Sequence, residues 1–289
     1  IDNFNKSLLG PGGFLVTVND TNVTLPSGEK VESGVQFRND FHLHPLSTAD
    51  LFVPCGGRPE SINLNNVNNL LDAKTGKPKF RIIVEGANLF ITQDARLILE
   101  EAGVVLYKDA SANKGGVTSS SLEVLAALGV DDVNFAKHMA VHDGHIPEFY
   151  MKYVNEIKDR ITADAGHEFE CIWREHLRTG VPRFLLTDRV SNKINQLNFF
   201  VHDSNLWENL NLRRVVLEEA IPKRLQELVG LDGVIANAPE SYIRAIFSAY
   251  LASRYVYKYG VEATEFAFFD FMQPYVKKAV AIENAAKKA

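Results

Sequence analysis

Cysteine is scarce in this 289-residue chain: there are two, Cys55 and Cys171, far apart in sequence. Neither forms a CxxC pair, which excludes a zinc ribbon, and two remote thiols are no disulfide framework. That usage fits a reducing compartment. No apolar run approaches the roughly 18 residues of a membrane span. Positive charge is not in excess either: 31 Lys and Arg stand against 36 Asp and Glu, a net charge of -5. With no basic stripe, the chain does not read as a nucleic-acid binder. The first twenty residues lack the basic start and apolar stretch of a signal peptide. There is no internal repeat and no low-complexity linker. The chain opens on Ile1, not Met, so it reads as part of something longer.

What is present is ordinary for a globular protein: 46% apolar and 23% charged residues. The length fits one large domain or two of ordinary size. Residues 13–130 alternate short apolar runs with helical patterns. Residues 14–18 and 23–25 are β-branched, and Pro26-Ser-Gly-Glu29 is a turn signal, so a small antiparallel ribbon is expected here. Buried strands are expected at 49–53, 80–84 and 104–107. Between the first two, Ile62, Val67, Leu70 and Leu71 predict a helix over 60–71. Between the second and third, Thr92 can cap a helix over 92–102, with Asp94 in its first turn and Gly103 ending it. A further helix starts near Gly116. Strand and helix in alternation make a parallel sheet with crossover helices, which binds ligands beyond the C-terminal strand ends.

From about residue 131 the pattern becomes wholly helical. Apolar residues recur at helical spacing over 147–178, 182–200, 207–230, 239–259 and 261–288. Leu217, Ile221, Leu225 and Leu228 make one apolar stripe. Tyr250, Tyr255, Tyr257, Tyr259, Phe266, Phe268, Phe269 and Phe271 crowd one region, more than one helix face can bury. Contacts between subunits or with the rest of the chain are one reading of that crowding, and a thick local core is the other.

Three loops follow the three strands: Pro54-Cys-Gly-Gly-Arg-Pro59, Glu85-Gly-Ala-Asn88, and the long run from Lys108 to Ser121. Paired glycines admit a ligand close to the backbone. An Asn offers a donor and an acceptor, suited to a carboxamide or a ribose hydroxyl. Ser and Thr at a helix start present hydroxyls and N–H groups to an anion. Tight turns account for each loop singly. Three at successive strand ends fit a ligand edge as well.

Other features are weaker. Gly10-Pro-Gly-Gly13 precedes a strand and opens no helix, so it is not a dinucleotide fingerprint, and Lys114-Gly-Gly lacks the order of a phosphate loop. His138, His142 and His145 recur at helical spacing without an HExxH motif, and read as a solvated helix face in preference to a metal site. His42 and His44 read as sharing a strand face and not as ligands. No metal is expected. Cys55 beside its glycines reads as a small residue under a ligand before a reactive thiol. Lys277-Lys278 and Lys287-Lys288 suit a solvated helix C-terminus.

Val84-Glu-Gly-Ala-Asn88, Asp109-Ala-Ser-Ala-Asn-Lys-Gly-Gly-Val-Thr118 and Phe52-Val-Pro-Cys-Gly-Gly57 together resemble the glutamate dehydrogenases. In wording, including the helical Pro239-Glu-Ser-Tyr242, the chain is similar to the large fungal-type NAD-specific branch. The resemblance covers most of the chain. It implies half of a Rossmann-like parallel sheet in 1–130, with the ribbon at 14–38 as an insertion, and an all-helical region in 131–289. It implies NAD as cofactor, L-glutamate and 2-oxoglutarate as substrates, a homo-oligomer, and a cytoplasmic or mitochondrial-matrix location. Asn88 would lie against the nicotinamide ribose and Asn113 on the carboxamide. Cys55 and Gly56 would pass near the adenosine side. Gly115 and Gly116 would admit the cleft, and Ser120 would contact the substrate side-chain carboxylate. Lys114 departs from many members, which carry a small residue there. The glycine fingerprint and the catalytic lysine and aspartate are not found in these residues, so no catalytic residue is expected within 1–289 and no activity from it alone. The rival readings are a non-catalytic nucleotide-binding or oligomerisation module, and a related amino-acid dehydrogenase for an apolar substrate. Ser120 argues against the latter, since a carboxylate needs a polar partner and an alkyl chain does not.

Overall fold

The structure is a computed structural model that describes residues 5–56 and 58–287. Gly57 of the first loop and Lys288 of the basic end lie outside the described residues. Packing divides the chain into two compact units between Leu106 and Tyr107.

In the first unit an antiparallel ribbon pairs β1 (Thr21–Thr24) with β2 (Lys30–Ser33) around the expected turn. Residues 14–18 are not a strand: the Thr17 N–H donates to the Asp20 carboxylate at 2.7 Å and Asp20 N–H returns to the Thr17 carbonyl, closing a turn instead. Helix α1 (Gly34–Asp40) follows, capped by the Ser33 hydroxyl. His42 and His44 then fall in and beside a short 3-10 turn, Phe41–Leu43, and not on a strand.

The sheet is parallel, with strand order β3-β4-β5: β3 (Ala49–Phe52), β4 (Phe80–Val84) and β5 (Val105–Tyr107). Leu51 lies opposite Ile82 and Phe52 opposite Ile83 in the ladder. Strand β3 is an edge strand and is not buried as expected: Leu51 is 50% exposed and its partner Ile82 39%. Among its described residues the β3–β4 connection contains no α-helix. It holds a 3-10 turn, Val67–Leu70, although Ile62, Val67 and Leu70 are buried as predicted. Asparagine decides this: Asn63 Nδ2 donates to the Glu60 carbonyl, Asn66 Nδ2 to the Ser61 carbonyl, and both side-chain oxygens accept nearby backbone N–H groups. Such local bonds compete with helix. Helix α2 (Gln93–Glu101) matches expectation, with the Thr92 hydroxyl accepting the Ala95 N–H and Asp94 in the first turn.

In the second unit the short α3 (Asp109–Ala112) leads to α4 (Gly115–Gly129), α5 (Asp132–His138) and the 32-residue α6 (Glu148–Thr179). Among the described residues no strand lies beyond Tyr107. Helix α4 packs into the helical array: the Tyr153 hydroxyl of α6 donates to the Leu122 carbonyl at 2.6 Å, and Leu125 and Ala126 are fully buried. Hence the units part ahead of residue 131, where the pattern becomes wholly helical. His142 and His145 do not continue a helix; they bracket a tight turn after α5.

Helix α7 (Arg183–Asp203) follows the left-handed C-cap Gly180. The segment 207–230 is broken, because Pro222 separates α8 (Leu210–Ala220) from α9 (Lys223–Val229). Leu217, Ile221 and Leu225 are nonetheless fully buried. After α10 (Leu231–Asn237), α11 (Glu240–Tyr259) buries Ile243, Phe247 and Leu251, and Trp207 meets Phe247 edge-on at 5.5 Å. In α12 (Glu265–Ala286) the crowded rings divide: Phe271 is 6% exposed, whereas Phe266 is 85% and Phe269 67% exposed. No described helix is long and apolar enough to cross a membrane.

Candidate functional site

The predicted residues fall in both units. Cys55, Gly56 and Asn88 belong to the first; Asn113, Gly115, Gly116 and Ser120 belong to the second.

In the first unit the loops after β3 and β4 touch. The Ala87 N–H donates to the Pro54 carbonyl at 2.6 Å. A Cβ placed on Gly86 would lie 3.0 Å from Cys55 Sγ and 3.2 Å from the Pro54 carbonyl oxygen, so only glycine lets the loops approach this closely. Cys55, Gly56 and Asn88 are all exposed. A cleft of about 620 Å³ opens beside the first loop, lined by Arg38, His42, Phe52, Pro54, Gly56 and Phe90 among others. His42 packs against the rings of Phe52 and Phe90, which also meet each other at 6.1 Å, and burial there holds its imidazole below the ordinary value of 6.5.

Beneath the second loop lies a partner that sequence reasoning missed. Glu85, the residue after β4, is fully buried, and Arg96 of α2 grips it with two parallel bonds of 2.7 and 2.8 Å. Arg96 also donates to Gln93 Oε1 at 2.8 Å. A bidentate fork of this kind fixes direction as well as distance. It ties the start of the Gly-Ala-Asn turn to the helix behind it.

In the second unit the run from Lys108 to Ser121 folds as α3, a break at Asn113 and Lys114, and then α4. Asn113 is the C-cap of α3, half-buried, with its N–H on the Asp109 carbonyl at 2.9 Å. Gly115 opens α4, where a Cβ would meet Ile161 of α6 at 3.3 Å. Gly116 is open on the surface. Ser120 is exposed one turn on, its hydroxyl donating to the Gly116 carbonyl at 2.9 Å. A hydroxyl has one proton, so Ser120 must release that carbonyl in order to donate to a carboxylate.

The same loop is bound to three helices. Lys108 Nζ reaches Asp188 of α7 at 2.6 Å, and Tyr107 stacks on Phe169 of α6 at 4.7 Å. The central partner is Glu168 of α6, which is 2% exposed. Its Oε1 lies 2.6 Å from Ser111 Oγ and 2.6 Å from Lys114 Nζ; its Oε2 lies 2.6 Å from the same Nζ and 2.7 Å from the Tyr257 hydroxyl of α11. Burial first, and the Glu168 charge second, push the Tyr257 hydroxyl far above its ordinary range, so it remains a donor. Sequence reasoning passed over Glu168, yet a signal was there: it falls in helical register with Ile157, Ile161, Cys171 and Ile172, a carboxylate on an apolar stripe. Among the described residues no group of three or more His, Cys, Asp or Glu is arranged to hold a metal.

The chain is similar to known proteins along nearly its whole length. It is 55% identical over 270 residues to glutamate dehydrogenase 2 of Dictyostelium discoideum, covering 93% of this chain and 26% of that protein. It is 55% identical over 274 residues to the NAD-specific glutamate dehydrogenase of Neurospora crassa, covering 94% and 26%. Against the probable NAD-specific glutamate dehydrogenase of Schizosaccharomyces pombe the identity is 51% over 278 residues, covering 96% and 25%. The chain thus spans about a quarter of the length of the curated relatives it matches. The sequence model of the glutamate/leucine/phenylalanine/valine dehydrogenases matches residues 16–180, from ahead of the ribbon to the C-cap of α6. On this match, which takes in all three strand-end loops, the chain belongs to the glutamate/leucine/phenylalanine/valine dehydrogenase family.

Proposed function

We propose that this chain is the C-terminal quarter of an NAD-dependent glutamate dehydrogenase, which oxidises L-glutamate to 2-oxoglutarate and ammonia by passing hydride from the α-carbon to the nicotinamide. The observation that carries the reading is the run Asp109-Ala-Ser-Ala-Asn-Lys-Gly-Gly-Val-Thr118, folded as a helix cap at Asn113 and an uncapped helix start at Gly115. The names of the relatives support NAD and glutamate over the other substrates of the family. Residues 1–130 would then supply half of the dinucleotide-binding domain and 131–289 a helical domain. Strand β3, an edge strand with Leu51 exposed, supports a sheet that continues in the whole protein.

In this reading Cys55 and Gly56 run past the adenosine side of the cofactor, beside the cleft, and Asn88 meets the nicotinamide ribose. Asn113 pairs with the nicotinamide carboxamide, donor to acceptor and acceptor to donor, and so selects the ring face offered to substrate. Gly116 admits the substrate, and Ser120 donates to its side-chain carboxylate. The chain contains no glycine fingerprint for the pyrophosphate, so residues 1–289 alone bind NAD weakly and transfer no hydride; micromolar affinity by calorimetry contradicts that.

Asn113 tests the reading in the full-length protein. Asn113→Ala removes the carboxamide pair, each bond worth about 0.5–1.5 kcal/mol, and frees the ring to rotate. Misorientation adds a factor on the order of 10² in rate. Asn113→Asp is worse, because a carboxylate replaces a required donor. Steady-state kinetics decide: an Asn113→Ala enzyme with unchanged kcat and KM for NAD puts the nicotinamide elsewhere.

A further inference from the structure

We propose that Glu168 is a positioning residue for hydride transfer, and that Tyr257, beyond the region shared with the dehydrogenase family, acts on the reaction through it. This rests on the assignment of Asn113 to the nicotinamide. The matched region ends at residue 180, whereas α11 begins at Glu240.

The geometry carries the inference. Ser111 and Lys114 bracket Asn113, and both reach the same buried carboxylate at 2.6 Å. The Ser111 hydroxyl also lies 3.0 Å from Thr187 Oγ1 of α7, so the residue two before the α3 cap is held by two helices. A carboxylate offers about four lone-pair sites. Glu168 uses them on Ser111, twice on Lys114, and on Tyr257. A buried charge left without partners is costly. Loop conformations that withdraw Ser111 or Lys114 are therefore disfavoured, and Asn113 between them is held to one place.

Tyr257 reaches Glu168 from a rigid setting. Arg174 of α6 donates to the Tyr257 carbonyl at 2.9 Å, Cys171 Sγ donates to the Val256 carbonyl at 3.4 Å, and Arg254 pairs with Asp164 at 2.6 Å. Three ties between α6 and α11 fix where the hydroxyl arrives. A network serving stability alone needs no donors from both sides of one asparagine. The arrangement suits a clamp on the loop, with Glu168 as hub, Lys114 and Ser111 as jaws, and Tyr257 orienting the hub.

The test uses the full-length enzyme with L-glutamate and L-glutamate deuterated at the α-carbon. Tyr257→Phe keeps the ring and removes one bond. Its kcat is expected to fall about 10-fold, with KM for glutamate within about twofold and a larger deuterium isotope effect on kcat than the wild type. Glu168→Gln is expected to lose more, and Glu168→Asp to recover part of that loss. An isotope effect and kcat unchanged in Tyr257→Phe, with Asn113→Ala impaired, overturns the clamp. A lowered melting temperature with wild-type kcat and isotope effect overturns it too, since that is structural support alone. If Asn113→Ala is itself unimpaired, the assignment of the nicotinamide fails and the clamp fails with it, a result distinct from the other two.

Discussion

Replacing Gly86 by Ala in the full-length protein tests whether contact between the first two loops shapes the proposed cofactor site. The new Cβ would stand 3.0 Å from Cys55 Sγ, 3.2 Å from the Pro54 carbonyl oxygen and 3.7 Å from Cys55 Cα. Both are tighter than ordinary contacts, so the neighbours must give by a few tenths of an ångström at two points. Cys55 is exposed and its thiol can turn away. The Pro54 carbonyl is backbone and also accepts the Ala87 N–H at 2.6 Å, so moving it weakens that bond. Overpacking of this kind costs about 1–3 kcal/mol, and the weakened bond adds a part of its net worth of about 0.5–1.5 kcal/mol. Where that strain falls on the cofactor-bound state, KM for NAD rises about tenfold per 1.4 kcal/mol. Adding Cys55→Ala removes the sulfur clash but not the carbonyl clash, so the double variant recovers part of the loss and no more. Urea unfolding and NAD kinetics on the two single variants and the double read this directly. Wild-type unfolding midpoint and KM in Gly86→Ala refute the reasoning.

Three further outcomes are expected. Arg96→Met strands the buried Glu85 carboxylate without its guanidinium and lowers unfolding free energy by about 3–5 kcal/mol, while adding Glu85→Gln recovers most of it; a loss below about 1 kcal/mol by urea unfolding contradicts the buried pair. Because burial depresses the folded-state pKa of His42 below 6.5, the imidazole contributes stability present above pH 6.5 and lost as pH falls through the folded value; His42→Phe should flatten that part of the stability profile between pH 7 and 5, and an unchanged profile argues against it. Phe266→Glu with Phe269→Glu, at rings 85% and 67% exposed, should weaken self-association of the full-length protein in sedimentation equilibrium; undiminished association removes the case for an interface on α12.

Much of the fold was legible because local chemistry and tertiary need agree there. Thr92 caps α2, Pro239 precedes α11 and Gly180 closes α6, each residue type at the place its backbone preference suits. The failures also have local causes. Over 60–71 the apolar spacing correctly marked Ile62, Val67 and Leu70 as buried, but burial fixes which residues face inward and not the backbone between them. Five asparagines in 63–69 gave the backbone other partners. Over 207–230 an apolar stripe survived a helix break at Pro222, because Leu217 and Ile221 before the bend and Leu225 after it all stay in the core. The exposure of β3 could not be read at all, since an apolar run reports how much surface needs covering and not what covers it.

The site divides along the same line. Its loops stood out because Gly86 and Gly115 sit where a Cβ would meet a neighbour, and short-range sequence records such needs. Their supports stood out less, because Arg96 and Glu168 act across space: a carboxylate on the apolar stripe of α6 marks Glu168 as held, but not what it holds. The two supports differ in kind. The Glu85–Arg96 pair is sealed, at 0% and 3% exposure, with a planar fork that admits one orientation. Lys114 is a point charge on a flexible stem, 37% exposed, against a carboxylate 3% exposed. Water can therefore reach the cation of the second pair and not that of the first. A loop tied by a sealed fork stays put. A loop tied through a half-open lysine keeps its register from the buried carboxylate and from Ser111, which holds the same carboxylate at 2.6 Å. On the proposed reading the two ties serve different ends: the clamp beside Asn113 sits where a cofactor would enter and leave, and the fork at Glu85 holds the shape of the turn after β4.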